Sequence, residues 1–211
     1  MSSTSAPTPL IGVIVCSSRQ PRVCPQIAAL VTSTIENWTS TSSDSPPRAK
    51  LQLIDLAVWN LPMFDEPTIP SQIKNYCDYA QPHTRAWSQE IQKYAGFIFI
   101  LPQYNWGYPA VIKNAIDYLF NEWRAKPAMI VSYGGHGGTK SAGQLRQVLD
   151  GVNMNVAETM PALAFPDRTV LVKAAKGDDL NLGEESRIWT EERKDIYKAF
   201  EDLMALVSKT L

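Results

Sequence analysis

Leu10-Ile11-Gly12-Val13-Ile14-Val15-Cys16-Ser17-Ser18-Arg19-Gln20-Pro21-Arg22-Val23 is an apolar run that breaks into a polar turn. Its first seven residues do not alternate and are rich in β-branched side chains. That pattern marks a strand buried on both faces. Beyond the turn, Ile27, Val31, Ile35 and Trp38 recur at helical spacing, which predicts a first helix over roughly residues 24–38.

The same unit recurs along the chain. Leu51 to Leu56 reads as a second strand, Ala95 to Leu101 as a third and Ala128 to Ser132 as a fourth; Asn153 to Phe165 holds a fifth. Thr84 to Tyr94 reads as a helix. Ile112, Ala115, Ile116, Leu119 and Phe120 form a helical stripe, and Leu145, Val148, Leu149 and Val152 mark another. Glu184 to Leu211 closes the chain with Ile196, Phe200, Leu203, Met204 and Val207 on one face. Surface loops are predicted at Thr39–Pro47, across the prolines 62, 67 and 70, and in the acidic stretch Gly177–Glu185. Residues 1–9, rich in Ser, Thr and Pro, read as a short mobile tail, so residues 10–211 form a single domain. Two-sided strands alternating with helices predict an α/β fold, an open parallel sheet with helices on both faces.

Composition narrows the partners. Twenty basic residues against twenty-one acidic ones leave a net charge of −1. That lacks the cationic surplus that binds nucleic acid or a membrane surface. No apolar run approaches the roughly 18–20 residues needed to cross a bilayer. The tail has neither the basic nor the apolar region of a secretory signal. Three cysteines, Cys16, Cys24 and Cys77, show no CxxC spacing and suit free thiols in a reducing, cytoplasmic compartment. The two histidines, His83 and His136, stand outside any Cys/His/Asp cluster, so no metal site is expected.

In such sheets ligands bind beyond the carboxyl ends of the strands, at the switch in strand order. Three loops leave strands there. The first offers Ser17, Ser18, Arg19 and Arg22 just before a helix start, where free amides and the dipole favour an anion such as a monophosphate. The same residues equally serve as a helix cap with solvated arginines. No GxGxxG follows the strand, so it is not a dinucleotide fingerprint. The second loop, Pro102-Gln103-Tyr104-Asn105-Trp106-Gly107-Tyr108-Pro109, sets two amides and three aromatics between prolines, a composition suited to a flat heterocycle. The third, Gly134-Gly135-His136-Gly137-Gly138, lets backbone approach a ligand closely. Thr139 separates it from Lys140-Ser141, so the spacing of a nucleotide-binding P-loop fails by one residue. His136 reads either as a proton donor beside a bound ring or as a solvated loop residue. Cys24 lies near the first helix start, where a thiolate is favoured, but no base accompanies it.

Taken together, Ser17-Ser18-Arg19, the 102–109 loop with Lys113-Asn114-Ala115-Ile116-Asp117, and Ser132-Tyr133 with the 134–138 glycines resemble the NADPH-dependent FMN reductase family, in its eukaryotic NAD(P)H:quinone oxidoreductase branch. The resemblance implies a flavodoxin-like, doubly wound, five-stranded parallel sheet in the order 2-1-3-4-5, with FMN bound non-covalently. Ser17 and Arg19, with Arg22, Val23 and the helix start, would hold the phosphate. Gln103, Tyr104, Asn105 and Trp106 would line the isoalloxazine, and Gly134 and Gly135 would meet its pyrimidine edge. Tyr104, Trp106 and His136 would border the substrate. NADPH or NADH would reduce the flavin and leave before a quinone or similar planar acceptor enters, a ping-pong reaction that obliges no side chain to act as acid. The resemblance also implies a homodimer. One departure is Cys16, where many members have glycine. Two other classes remain open: a flavodoxin-type electron carrier, disfavoured by the near-neutral charge and the absence of a Thr/Ser-Gly-Thr loop, and a regulatory protein whose flavin redox state controls partner binding.

Overall fold

The computed structural model describes residues 8–41 and 48–210. Residues 1–7 of the expected tail, 42–47 of the expected surface loop, and Leu211 lie outside the described residues. Among the described residues six parallel strands form one sheet: β1 (Leu10–Val15), β2 (Lys50–Asp55), β3 (Gly96–Pro102), β4 (Pro127–Gly134), β5 (Asn155–Val156) and β6 (Ala162–Ala164). The order is β2-β1-β3-β4-β5, the expected one, with β6 also pairing β4. The helices are α1 (Cys24–Thr41), α2 (Leu56–Trp59), α3 (Pro82–Gln92), α4 (Ala110–Asp117), α5 (Thr139–Gly151), α6 (Arg168–Lys176) and α7 (Glu192–Thr210).

The register explains why three loops converge. Val15 lies between Asp55 of β2 and Ile100 of β3, and Pro102 lies beside Tyr133 of β4. The strands therefore end together on one edge. All seven residues of β3 are buried. Ile98 and Ile100 pack with Ile27 and Val31 of α1 and Phe200 and Leu203 of α7. Phe97, Phe99 and Leu101 face the other way, toward Trp87 of α3, Ile112 of α4 and Leu145 of α5. Burying each such side chain stabilises the fold by about 1.5–3 kcal/mol, and both faces of the central strands are clad in this way.

Several elements differ from the sequence expectation. The fifth strand is two short ones, β5 and β6, each paired to a different stretch of β4. Leu56 does not end β2 but starts α2, because the Asp55 carboxylate accepts the Ala57 amide at 3.0 Å and caps a helix there. The stripe expected through Phe120 ends at Asp117, and Leu119 is buried just beyond the helix. Within the closing stretch Glu184–Leu211 the helix itself starts at Glu192. Helix α6 had no sequence counterpart. Asp167 caps its start by accepting Val170 N–H at 2.9 Å, and Gly177 ends it at φ +72°. A Cβ at Gly177 would stand 2.6 Å from Cβ of Pro21, so the end of α6 abuts the first loop.

Candidate functional site

The first loop is fixed by its own arginine. Arg22 Nη1 donates to the Ser17 carbonyl at 2.7 Å and to Asp55 Oδ1 at 2.8 Å, while Nη2 meets Asp55 Oδ2 at 2.6 Å. The hydrogen bonds it donates to the Asp55 carboxylate keep this guanidinium firmly protonated despite its partial burial. Ser17 is wholly buried, and its hydroxyl makes no well-formed hydrogen bond, although the Cys24 thiol and the Tyr104 hydroxyl lie near it. A buried orphan donor beside the start of α1, whose first-turn amides lack intrahelical acceptors, is the signature of a place for an anion. Arg19 is exposed and stacks on the Tyr104 ring, its guanidinium carbon 3.8 Å from the ring centre, which ties the first loop to the second.

The second loop turns sharply at its tip. Tyr104 and Gly107 exchange backbone hydrogen bonds of 2.9 Å, and the two residues between them are both left-handed, Asn105 at φ +47° and Trp106 at φ +68°. Paired positive φ values define a primed turn that ordinarily takes Asn and Gly. A tryptophan held there is strained, and it projects into solvent, 66% exposed. Gln103 is oriented from behind. Its Oε1 accepts Lys140 N–H of α5 at 3.2 Å. In the third loop Ser132 Oγ donates to Gly137 O at 2.8 Å, and Gly137 and Gly138 sit at φ +77° and +79°. A Cβ on Gly138 would meet Tyr133 O at 2.8 Å, so only glycine fits.

These loops surround an open cleft of about 210 Å³. Of the expected residues, Arg19, Arg22, Val23, Gln103 and Tyr104 line it, together with Gly134 and Gly135. Ser17 lies buried beneath. Asn105, Trp106 and His136 stand on the exposed rims of their loops, outside the lining. Sequence reasoning missed the opposite wall: Tyr133, Phe165, and Leu171, Ala174 and Ala175 of α6. Tyr133 and Phe165 meet edge-on at 6.2 Å, and Phe165 packs on Trp189, whose indole N–H donates to Ala164 O at 2.6 Å. The two buried thiols stay protonated. Burial pushes Cys24 up to about 11 and Cys16 well above its ordinary value, so the thiolate favoured by a helix start does not form. Cys16 points into the core, its Sγ donating to Ile14 O, and does not crowd the first loop. Burial also raises Tyr104 and Tyr133, which stay protonated donors.

The cleft is thus a cationic, donor-rich turn joined to an aromatic and amide-lined slot at the carboxyl edge of a doubly wound sheet, the architecture of a flavin-dependent oxidoreductase. Residues 9–165 match the NADPH-dependent FMN reductase family, and the chain belongs to it. An NAD(P)H-dependent FMN reductase of Saccharomyces cerevisiae is 49% identical over 148 residues, covering 69% of this chain and 76% of its own. Another of that name from Nectria sp is 36% identical over 205 residues, covering 94% and 97%. Among solved structures, the flavoenzyme NAD(P)H:(acceptor) oxidoreductase FerB of Paracoccus denitrificans superposes with a TM-score of 0.62 at 19% identity, over 95% of this chain and 98% of that one, and shares the fold. The protein is an NAD(P)H-dependent oxidoreductase that works with FMN. Among the described residues no helix is long and apolar enough to cross a membrane.

Proposed function

We propose that the cleft holds the FMN with its phosphate at Ser17, Arg19 and the start of α1, and its ring against Gln103 and Tyr104 with one edge toward Gly134 and Gly135. The observation that carries this reading is the buried, unsatisfied Ser17 hydroxyl at the foot of the cleft, beside a helix start and below the Arg19–Tyr104 stack. A lone phosphate fits that turn, whereas the lack of a glycine fingerprint argues against a dinucleotide. FMN held there would supply the redox chemistry, hydride transfer from NAD(P)H and delivery of both electrons to an acceptor. The protein holds the ring, keeps water from one side of it and leaves the other open. Trp106 and His136 rim that open side.

Because one face serves both substrates, NAD(P)H leaves before a quinone or another planar acceptor enters. Initial rates at several fixed quinone concentrations test this. Parallel double-reciprocal lines are expected, and intersecting lines, which report a ternary complex, would refute the shared face. The enzyme works in the cytoplasm as a single FMN-binding domain spanning residues 10–211, paired as a homodimer. The paired state is supported by apolar side chains that follow β2 and stand in solvent, among them Val58, Met63 and Ile69.

A further inference from the structure

Arg22 lines the cleft, yet its charge is already used. Both of its terminal nitrogens bond to Asp55, and one also bonds to the Ser17 carbonyl five residues back. Both side chains are largely buried, 11% and 18% exposed. This two-pronged geometry fixes the guanidinium plane as well as its position. Arg19 differs: it stacks on Tyr104 and forms no ion pair among the described residues.

Asp55 lies outside the cleft, as the last residue of β2 and the register partner of Val15. Its Oδ1 also caps α2 through Ala57 N–H. One carboxylate therefore ties the end of β2 and the start of α2 to the arginine that closes the first loop. That loop is also a partition. Arg19, Pro21, Arg22 and Val23 face the cleft, whereas Ser18 and Gln20 face a second hollow beside α2 and α4. A wall open on both sides needs a brace to keep one shape.

We propose that Asp55 is a positioning residue for the FMN phosphate: through Arg22 it holds the Ser17 carbonyl, and so the turn that presents Ser17 and the start of α1, in the binding conformation. The proposal rests on the reading of the cleft as the FMN site. It assigns Arg22 a role in the shape of the turn, and leaves direct contact with the phosphate to Arg19, Ser17 and the helix amides.

The test is Asp55→Asn, which keeps an oxygen for the Ala57 cap but sets an amide N–H against Arg22 in place of the second carboxylate oxygen. Dissociation constants for FMN and for riboflavin are measured on the apoprotein by flavin fluorescence. Riboflavin lacks only the phosphate, so it reports the ring site and the integrity of the fold. The expected result is an FMN constant raised about ten-fold or more, the scale of one charge-assisted contact, with the riboflavin constant changed less than about two-fold on the same scale. Arg22→Lys, which keeps the charge but not the fork, is expected to behave alike. Tighter FMN binding by Asp55→Asn would mean that Arg22 had been freed to grip the phosphate, and overturns the proposal. Equal losses for both flavins also overturn it, since Asp55 would then support the fold at large. Wild-type preference for FMN that persists in Asp55→Asn refutes the brace alone. A wild-type protein that binds riboflavin as tightly as FMN refutes the reading of the cleft, and the brace with it.

Discussion

Lys126 is the most informative place to perturb the scaffold beneath the site. It follows α4 and buries its side chain under the end of α3, where the ammonium donates to the carbonyls of Ile91 at 2.6 Å and Tyr94 at 2.7 Å. Burial drives its pKa down from 10.5 to about 8, against the pull of nearby Glu122. At 1.36 kcal/mol per pH unit, the interval from 10.5 to about 8 amounts to about 3 kcal/mol. The sign follows from proton counting. Between those two values the unfolded chain holds the proton and the folded one does not, so stability rises with pH across the window. The charged form therefore carries a cost at neutral pH, which the two carbonyl bonds partly offset.

Lys126→Met removes the titration and leaves the methylene packing. It also takes the ammonium donor from both carbonyls, leaving Ile91 O with the Tyr94 N–H at 3.4 Å, at about 1–3 kcal/mol in all, so the variant should lie close to wild type at pH 7. Urea unfolding is then compared at pH 7.5 and 9.5. Other buried groups add a pH dependence of their own. Cys16, Cys24 and Tyr133 are raised by burial and lose their stabilising effect as pH climbs. Only the difference between the two proteins isolates Lys126. Wild type should gain about 2 kcal/mol on the variant across that interval, by the same linkage. Parallel pH dependences would refute the reasoning and show that the ammonium keeps an ordinary affinity for its proton.

The remaining expectations concern the cleft. Arg19→Ala should weaken FMN binding roughly 10- to 150-fold, the worth of a charge-assisted contact of about 1.5–3 kcal/mol, and leave riboflavin binding nearly unchanged; an unaltered FMN constant by fluorescence titration would move the phosphate elsewhere. Gly138→Ala should lower stability by about 1–3 kcal/mol in thermal or urea unfolding, since the new Cβ meets Tyr133 O at 2.8 Å in a left-handed backbone; a variant as stable as wild type would show that the third loop yields easily.

What the sequence disclosed, and what it hid, divides along physical lines. Strands β1, β3 and β4 were legible because two-sided burial demands unbroken apolar runs. The loops that follow them were legible because their compositions are unlike ordinary turns. Arg22 shows the opposite case. Its charge is plain in the sequence, but its partner is Asp55, thirty-three positions on, and only the register of β1 against β2 brings the two together. The Cys24 thiol shows how tertiary burial overrides a local rule, because desolvation outweighs the favour of a helix start.

Helix α6 was hidden for a different reason. Leu171 and Val172 are substantially exposed and only Ala174 is buried, so no apolar stripe runs through it. Its readable signals were the ends, Asp167 as cap and Gly177 as stop. The omission matters, because Leu171, Ala174 and Ala175 form a wall of the cleft and the helix end lies against Pro21 of the first loop. The family match stops at residue 165, the point where β6 gives way to this segment. The three loops that line or rim the cleft therefore come from the matched portion, while the α6 part of the facing wall comes from beyond it. A side chain on α6 can change the width of the cleft without touching any residue of the three loops, and so without altering the chemistry they support.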